Sequence, residues 1–139
     1  MKCLLDTNVV SELRKVKAGK ADLHVKAWTE RTDAGFMFLS VITVLELELG
    51  TLLMERRDRR QGAILRSWLE KRILPAFPNR ILDVDTEIAR NAASLQAPNP
   101  RPYRDALIAA TAIVHGMTLV TRNVRDFEST GVALLNPWQ

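Results

Sequence analysis

Cysteine and long apolar runs are what this 139-residue sequence has least of. Cys3 is its single cysteine, so no disulfide can form within the chain, and a reducing compartment is expected. The longest strongly apolar run, 106–114, is far shorter than the ~20 residues that a membrane-spanning helix needs. Asp6 interrupts the apolar start of the chain, which argues against a secretory signal peptide. We therefore expect a cytoplasmic protein that is not associated with a membrane.

A cluster of cysteine and histidine is also missing. The two histidines, His24 and His115, are far apart in the sequence, so nothing indicates a zinc site. Strong charge of either sign is absent as well, since 20 Lys+Arg against 16 Asp+Glu give a net charge of +4. This mild basicity permits a polyanionic partner without requiring one. A hydrophobic content of 47% with mixed charge predicts a globular protein with one domain over residues 1–139.

Short apolar segments alternate with stretches of helical periodicity along the chain. Strand-like segments occur at 2–5, 36–39, 80–84 and 117–120, with a further candidate edge strand at 132–135. Helical patterns lie between them, and the strongest runs from 103 to 115. This alternation predicts an α/β fold in which a central, mainly parallel sheet of four to five strands has helices on both faces.

Acidic and amide side chains occur where these predicted strands end or the following helices begin. Asp6 ends the first strand, Glu46 and Asp105 lie in early helical turns, and Asn123 follows a late strand with Asp126 one turn later. In a parallel sheet these positions meet at the same edge. Clustered carboxylates repel one another unless a cation joins them, and Mg²⁺ or Mn²⁺ prefers such oxygen ligands.

Each of these side chains also has a purely structural interpretation. Glu46 lies three residues after Thr43, which is the spacing of a capping box. Asp105 could simply stabilise the amino end of its helix, and Asp6 could simply cap the first helix. Asn123 or Asp126 could cap a short C-terminal turn. The sequence leaves these alternatives open at each position taken alone.

Four motifs in this order resemble those of VapC toxins of the PIN-domain family, in the branch that includes the FitB-type proteins. They are Leu4-Leu5-Asp6-Thr7-Asn8, Ser40-x-x-Thr43-x-x-Glu46, the run from Asp105 to Ala112, and Thr121-Arg122-Asn123-x-x-Asp126-Phe127. The ending Leu135-Asn136-Pro137-Trp138 is also similar. The resemblance extends over essentially the whole chain.

The resemblance implies a PIN-like fold and a Mg²⁺- or Mn²⁺-dependent endoribonuclease, the toxin of a type II VapBC pair. It implies an RNA substrate, a VapB-like antitoxin, a homodimer, and a heterotetramer or larger complex with the antitoxin. The implied catalytic residues are Asp6, Glu46, Asp105 and Asn123, and the metal ligands Asp6, Glu46, Asp105 and Asp126. The residues implied to orient them are Thr7, Asn8, Ser40, Thr43 and Thr121. Family members often have an aspartate where this chain has Asn123.

An RNA substrate would be held chiefly through its phosphates, which requires cations near the acidic residues. Arg122 is the best placed in the sequence, followed by Arg14 and Lys15, whereas the charged run 56–60 is typical of a solvated helix connection. The apolar helix surface over 45–54 is compatible with a dimer interface or with ordinary core packing.

Three other functions deserve comparison. A haloacid-dehalogenase-type phosphatase needs a second aspartate where this chain has Asn8, and a response-regulator receiver needs a late lysine, but no lysine follows Lys71. Both are disfavoured by these missing groups. A non-catalytic RNA-binding PIN domain remains the alternative, because Asn123 departs from the acidic pattern.

Overall fold

A computed structural model describes all residues from Met1 to Gln139. Five parallel strands form one sheet in the order β3-β2-β1-β4-β5, which confirms the predicted parallel α/β architecture. The strands are β1 (Cys3–Leu5), β2 (Met37–Ser40), β3 (Ile81–Leu82), β4 (Thr118–Val120) and β5 (Leu134–Leu135). The candidate edge strand near the C-terminus is therefore present as β5.

Seven α-helices connect and cover the strands. They are α1 (Thr7–Leu13), α2 (Leu23–Arg31), α3 (Val41–Arg57), α4 (Arg59–Trp68), α5 (Leu74–Ala76), α6 (Thr86–Gln96) and α7 (Tyr103–Val114). A π-helical segment, Leu69–Ile73, joins α4 to α5, and short 3₁₀ turns occupy Ala34–Phe36, Val124–Asp126 and Glu128–Thr130. None of the helices combines the length and hydrophobicity that crossing a bilayer requires.

The central strand β1 is buried on both faces. Successive side chains of a strand point to opposite faces of the sheet, and here both faces are covered. Cys3 and Leu5 pack in a core cluster with Val9 of α1 and Trp28 of α2. Leu4 belongs to a second cluster, which contains Ile108 and other residues of α7. Helices therefore cover both faces of the sheet, as predicted, and Cys3 is a fully buried core residue.

The strand order places a crevice beside the carboxyl end of β1. From β1 the chain builds outward to β2 and β3 on one side, and β4 and β5 fill the other side. Connections that leave in opposite directions open a crevice where they diverge, and parallel α/β sheets bind ligands at such points. Asp6 directly follows β1 and Thr121 directly follows β4, so both residues lie at this crevice.

The charged connection between α3 and α4 is tighter than its sequence indicates. Helix α3 continues to Arg57, and the Asp58 side chain then caps α4 by accepting hydrogen bonds from the backbone N–H groups of residues 60 and 61. Arg66 of α4 binds Glu48 and Glu55 of α3, with Nη2 2.7 Å and 3.1 Å from their carboxylate oxygens. Gly62 lies against α3 so closely that a Cβ there would be 2.5 Å from the Cα of Glu55.

We expect Gly62→Ala to destabilise the protein by about 1–3 kcal/mol, because the added methyl group must push two helix backbones apart. Gly50→Ala is the matched control, since no atom lies within 4 Å of a Cβ at that position of α3. Gly50→Ala should stabilise the helix by about 0.5–1 kcal/mol. Urea unfolding followed by circular dichroism measures both values. Equal effects of the two substitutions would contradict the close packing of α3 on α4.

Candidate active site

A polar pocket of about 250 Å³ lies at the carboxyl edge of the sheet. None of its lining residues is hydrophobic, and four of them are the predicted catalytic residues. The lining consists of Asp6, Thr7, Asn8, Ser11, Glu46, Arg104, Asp105 and Asn123. The fold thus brings together side chains that are up to 117 residues apart in the sequence, as the spacing from Asp6 to Asn123 shows.

Asp6 is the most buried carboxylate of the pocket, with only 8% of its surface exposed. Its Oδ1 accepts a hydrogen bond from the N–H of Thr7 at 2.7 Å, and its Oδ2 accepts one from Oγ1 of Thr121 at 2.7 Å. Burial raises the pKa of this carboxyl, the two donors oppose that rise, and the charge of Glu46 adds to it. Asp6 therefore caps α1, as its structural interpretation proposed, and also faces the pocket.

Glu46 is oriented from two sides. Its Oε1 accepts a hydrogen bond from Oγ1 of Thr7 at 2.7 Å, and that hydroxyl lies 3.0 Å from Oγ1 of Thr43. Its Oε2 accepts a hydrogen bond from Nη1 of Arg104 at 2.8 Å. The capping-box alternative is wrong, because Ser40 rather than Thr43 caps α3.

Asp105 lies in the first turn of α7 and is partly buried. Burial raises the pKa of its carboxyl, the nearby Arg104 lowers it, and the charges of Asp6, Asp126 and Glu46 raise it further. The charges of Asp6 and Glu46 thus act on Asp105 across the pocket. No three Asp, Glu, His or Cys side chains form a ready-made metal cage, although three carboxylates line this one pocket.

Asn123 lines the same pocket, whereas Asp126 lies at its rim. The backbone N–H of Asn123 donates to Oγ1 of Thr121 at 3.0 Å. Asp126 is exposed and lines a neighbouring cavity that also contains Asn123 and Arg122. Neither side chain caps the short helix Val124–Asp126.

Four of the five residues expected to orient the acidic groups do contact them or their partners. Thr7, Thr43 and Thr121 act through their hydroxyl groups, and Nδ2 of Asn8 lies 3.5 Å from Oδ2 of Asp6. Ser40 differs, because its buried hydroxyl accepts a hydrogen bond from the N–H of Ile42 and serves as the helix cap.

The predicted RNA-binding cations are placed unequally. Arg122 is exposed beside the pocket. Its guanidinium lies 5.2 Å from the centre of the Trp138 ring, and its backbone N–H donates to Oδ1 of Asn8 at 3.4 Å. Arg14 lines a separate groove, and Lys15 pairs with Glu12 at 3.2 Å.

Sequence reasoning missed Arg104, the one arginine or lysine that lines the acidic pocket. It also missed Ser11, which lines the pocket from α1. The available signal for Arg104 was its position directly before Asp105 in the first turn of a helix.

Replacing Asp6 with asparagine should stabilise the metal-free protein at neutral pH. Burial raises the pKa of Asp6, so the folded chain holds this proton more tightly than the unfolded chain does, and stability is lost as pH rises through the raised pKa. Asparagine removes the buried charge and still caps α1. We expect the Tm of Asp6→Asn to exceed that of the wild type by a few degrees in EDTA.

This difference should shrink as the pH falls below about 3, where the wild-type carboxyl is protonated in both the folded and the unfolded state. Calorimetry over a pH series measures it. Asp58→Asn is the matched control, because it makes the same substitution at an exposed N-cap outside the pocket and should not raise the Tm. A less stable Asp6→Asn protein at neutral pH would contradict the desolvation of Asp6.

Comparisons with known proteins agree with this architecture. The family model described as PIN domain matches residues 3–132. A relative named VapC ribonuclease Y4jK, from Sinorhizobium fredii, is 38% identical over 98% of this chain and 97% of its own length. A second relative, toxin FitB of Neisseria gonorrhoeae, is 36% identical over 97% of both chains.

The crystal structure of FitAcB from Neisseria gonorrhoeae is similar in fold as well as in sequence. It superposes with a TM-score of 0.88 at 35% identity, and the match covers 99% of both chains. Family profile, relatives and structure thus extend over almost the entire chain. The chain belongs to the PIN-domain family.

Proposed function

We propose that this chain is a ribonuclease toxin of a type II toxin–antitoxin pair, a single PIN domain over residues 1–139. It cleaves RNA phosphodiester bonds at the acidic pocket. The observation that carries the proposal is the meeting of Asp6, Glu46, Asp105 and Asn123 in one wholly polar pocket at the sheet edge. The names of the two relatives, a VapC ribonuclease and a toxin, support it.

The donor set of the pocket fits a hard divalent cation. Three carboxylates and one amide present only oxygen ligands, and burial together with mutual repulsion raises the pKa values of Asp6 and Asp105. Mg²⁺ or Mn²⁺ prefers such ligands and relieves such repulsion. Asp6, Glu46 and Asp105 would hold the ion, with Asn123 offering a neutral oxygen and Asp126 available only from the rim.

When bound, such an ion supplies Lewis-acid activation of water and neutralises charge on phosphate oxygens. The side chains around the pocket orient the carboxylates of Asp6 and Glu46. The N–H of Thr7 and the hydroxyl of Thr121 hold the two oxygens of Asp6, and the hydroxyl of Thr7 holds one oxygen of Glu46, so both carboxylates keep their orientation in the pocket. Such supporting hydrogen bonds keep ligands in place and tune their basicity.

Arg122 is the cation that we propose to bind RNA beside the pocket. It is exposed, it lines the cavity next to Asn123, and the Trp138 ring holds its guanidinium in place. An arginine prepared in this way binds phosphate with little loss of side-chain freedom. Arg14 and Lys15 follow α1, which carries the chain about 10 Å away from Asp6, so they can contact only more distant phosphates.

A second groove of this chain is suited to binding a segment of an antitoxin. The groove has a volume of about 550 Å³ and combines apolar side chains with three cations. Its lining is Leu13, Arg14, Lys17, Ile64, Ser67, Trp68 and Arg72. This combination fits a peptide with acidic and apolar residues, and we propose that a VapB-like antitoxin binds there.

The homodimer has support in an apolar stripe along α3. Leu45, Leu49, Leu52 and Leu53 are 46–58% exposed and recur at helical spacing on its surface. Exposed apolar stripes of this kind mark interaction surfaces. We propose that two copies pair through this stripe, and that antitoxin binding then gives a heterotetramer or a larger complex.

The dimer is tested by size-exclusion chromatography with light scattering. The wild type should show twice the mass of the 15.7 kDa chain, and Leu49→Glu should reduce the mass to that of one chain. Leu23→Glu is the matched control, because Leu23 is 78% exposed on α2 outside the stripe and should not change the mass. A wild type that elutes as a monomer, or a Leu49→Glu dimer, would exclude this interface.

The nuclease activity is tested with purified protein and a structured RNA. We expect cleavage in Mg²⁺ or Mn²⁺ and none in EDTA. Asp6→Asn should reduce cleavage to the level of a protein-free sample while its circular dichroism remains that of the wild type. Asp58→Asn, the same substitution at an N-cap outside the pocket, should cleave normally.

The alternative function gives a different result in the same assay. A non-catalytic RNA-binding PIN domain would retard the RNA without cutting it in either metal. Asn123 in the family's often acidic position and the arginine on Glu46 are the features that favour it. Full activity of Asp6→Asn would remove Asp6 from the proposed metal site.

A further inference from the structure

Arg104 occupies an unusual position for a cation in this pocket. It is the second residue of α7, and it is the only arginine or lysine among the eight lining residues. Its Nη1 donates to Oε2 of Glu46 at 2.8 Å, and its Nε lies 3.9 Å from Oδ1 of Asp105. One guanidinium thus offsets charge on two of the three carboxylates.

The ion pair between Arg104 and Glu46 is weak, because Arg104 is largely exposed to solvent. The Arg104 side chain is 62% exposed, whereas that of Glu46 is only 17% exposed. Ion pairs with one partner in water are weak, because the solvent screens the charges and a long side chain loses freedom. Arg104 can therefore leave Glu46 without disturbing the fold.

Glu46 itself does not depend on Arg104 for its position. The Oε1 atom is held by Thr7, which is in turn hydrogen bonded to the buried Thr43. Arg104 binds the other oxygen, Oε2. When Arg104 leaves, Glu46 thus remains directed to the pocket with a free oxygen.

We propose that Arg104 is an exchangeable counter-cation of the acidic pocket. Arg104 binds Glu46 in the metal-free protein, gives up that oxygen to a divalent cation, and then binds a phosphate of the RNA at the pocket mouth. The planar guanidinium suits this second role, because its paired N–H groups match phosphate as well as carboxylate oxygens. This inference rests on the proposed nuclease function.

Competition for Glu46 is tested by calorimetric titration of Mn²⁺ in the absence of RNA. Arg104→Gln should bind Mn²⁺ about three- to tenfold more tightly than the wild type, because the competing cation is gone. Arg104→Lys should lie between the two, since an ammonium group keeps the charge but lacks the fork of donors. Arg104 is exposed, so these variants should fold normally.

Arg125→Gln is the matched control. Arg125 is exposed and lines the neighbouring cavity without lining the acidic pocket, so its loss removes the same charge without freeing Glu46. Its Mn²⁺ affinity should equal that of the wild type. An unchanged or weaker affinity of Arg104→Gln would overturn the proposal, as would an equal gain in Arg125→Gln.

The phosphate role is tested by cleavage kinetics at saturating Mn²⁺. Arg104→Gln should raise the KM for RNA about three- to tenfold, while kcat stays within about a factor of two. An unchanged KM would overturn this part. Mn²⁺ binding without any RNA cleavage by the wild type would defeat the nuclease function but leave the competition measurable, whereas absence of Mn²⁺ binding would defeat both.

Discussion

The buried carboxylate of Asp6 is the constraint on which the rest of the site depends. It ends the central strand and is 8% exposed, so its charge is costly unless donors surround it. Thr121 and the N–H of Thr7 supply those donors at 2.7 Å each. Because one donor follows β4 and the other begins α1, the same two hydrogen bonds tie the sheet crevice together. The same two hydrogen bonds therefore hold the crevice of the sheet and orient the carboxylate of Asp6.

From Asp6 outward, the polar contacts change from buried to exposed. Thr121 and Thr43 are fully buried, and Thr7 is partly buried between Asp6 and Glu46. At the outer end Arg104 is largely exposed. Contacts arranged in this way orient the acidic groups from the core side, while Arg104 reaches Glu46 from the solvent side. The site is thus held by buried contacts where it meets the core and by exposed contacts at its outer edge.

Much of this architecture could be predicted because it follows from local patterns. Alternating apolar segments indicated the parallel sheet, and acids at strand ends indicated the shared pocket. The place of Glu46 in the pocket could not be derived this way, since its spacing from Thr43 equally predicted a capping box, whereas Ser40 in fact caps the helix. Arg104 was missed because the direction of a long side chain at a helix start depends on its partner across the pocket, 58 residues away in the sequence. Periodicity carries no such information.

The charges around Asn123 explain why a neutral side chain is favourable at this position. The pocket lining holds three carboxylates and one guanidinium, a formal charge of −2 that one divalent cation balances. A fourth carboxylate at position 123 would raise the pKa of Asp105 further, because Asp6, Asp126 and Glu46 already act on it in that direction. The neutral amide avoids this added repulsion and still offers an oxygen. For the site proposed above, this charge balance corresponds to one divalent ion.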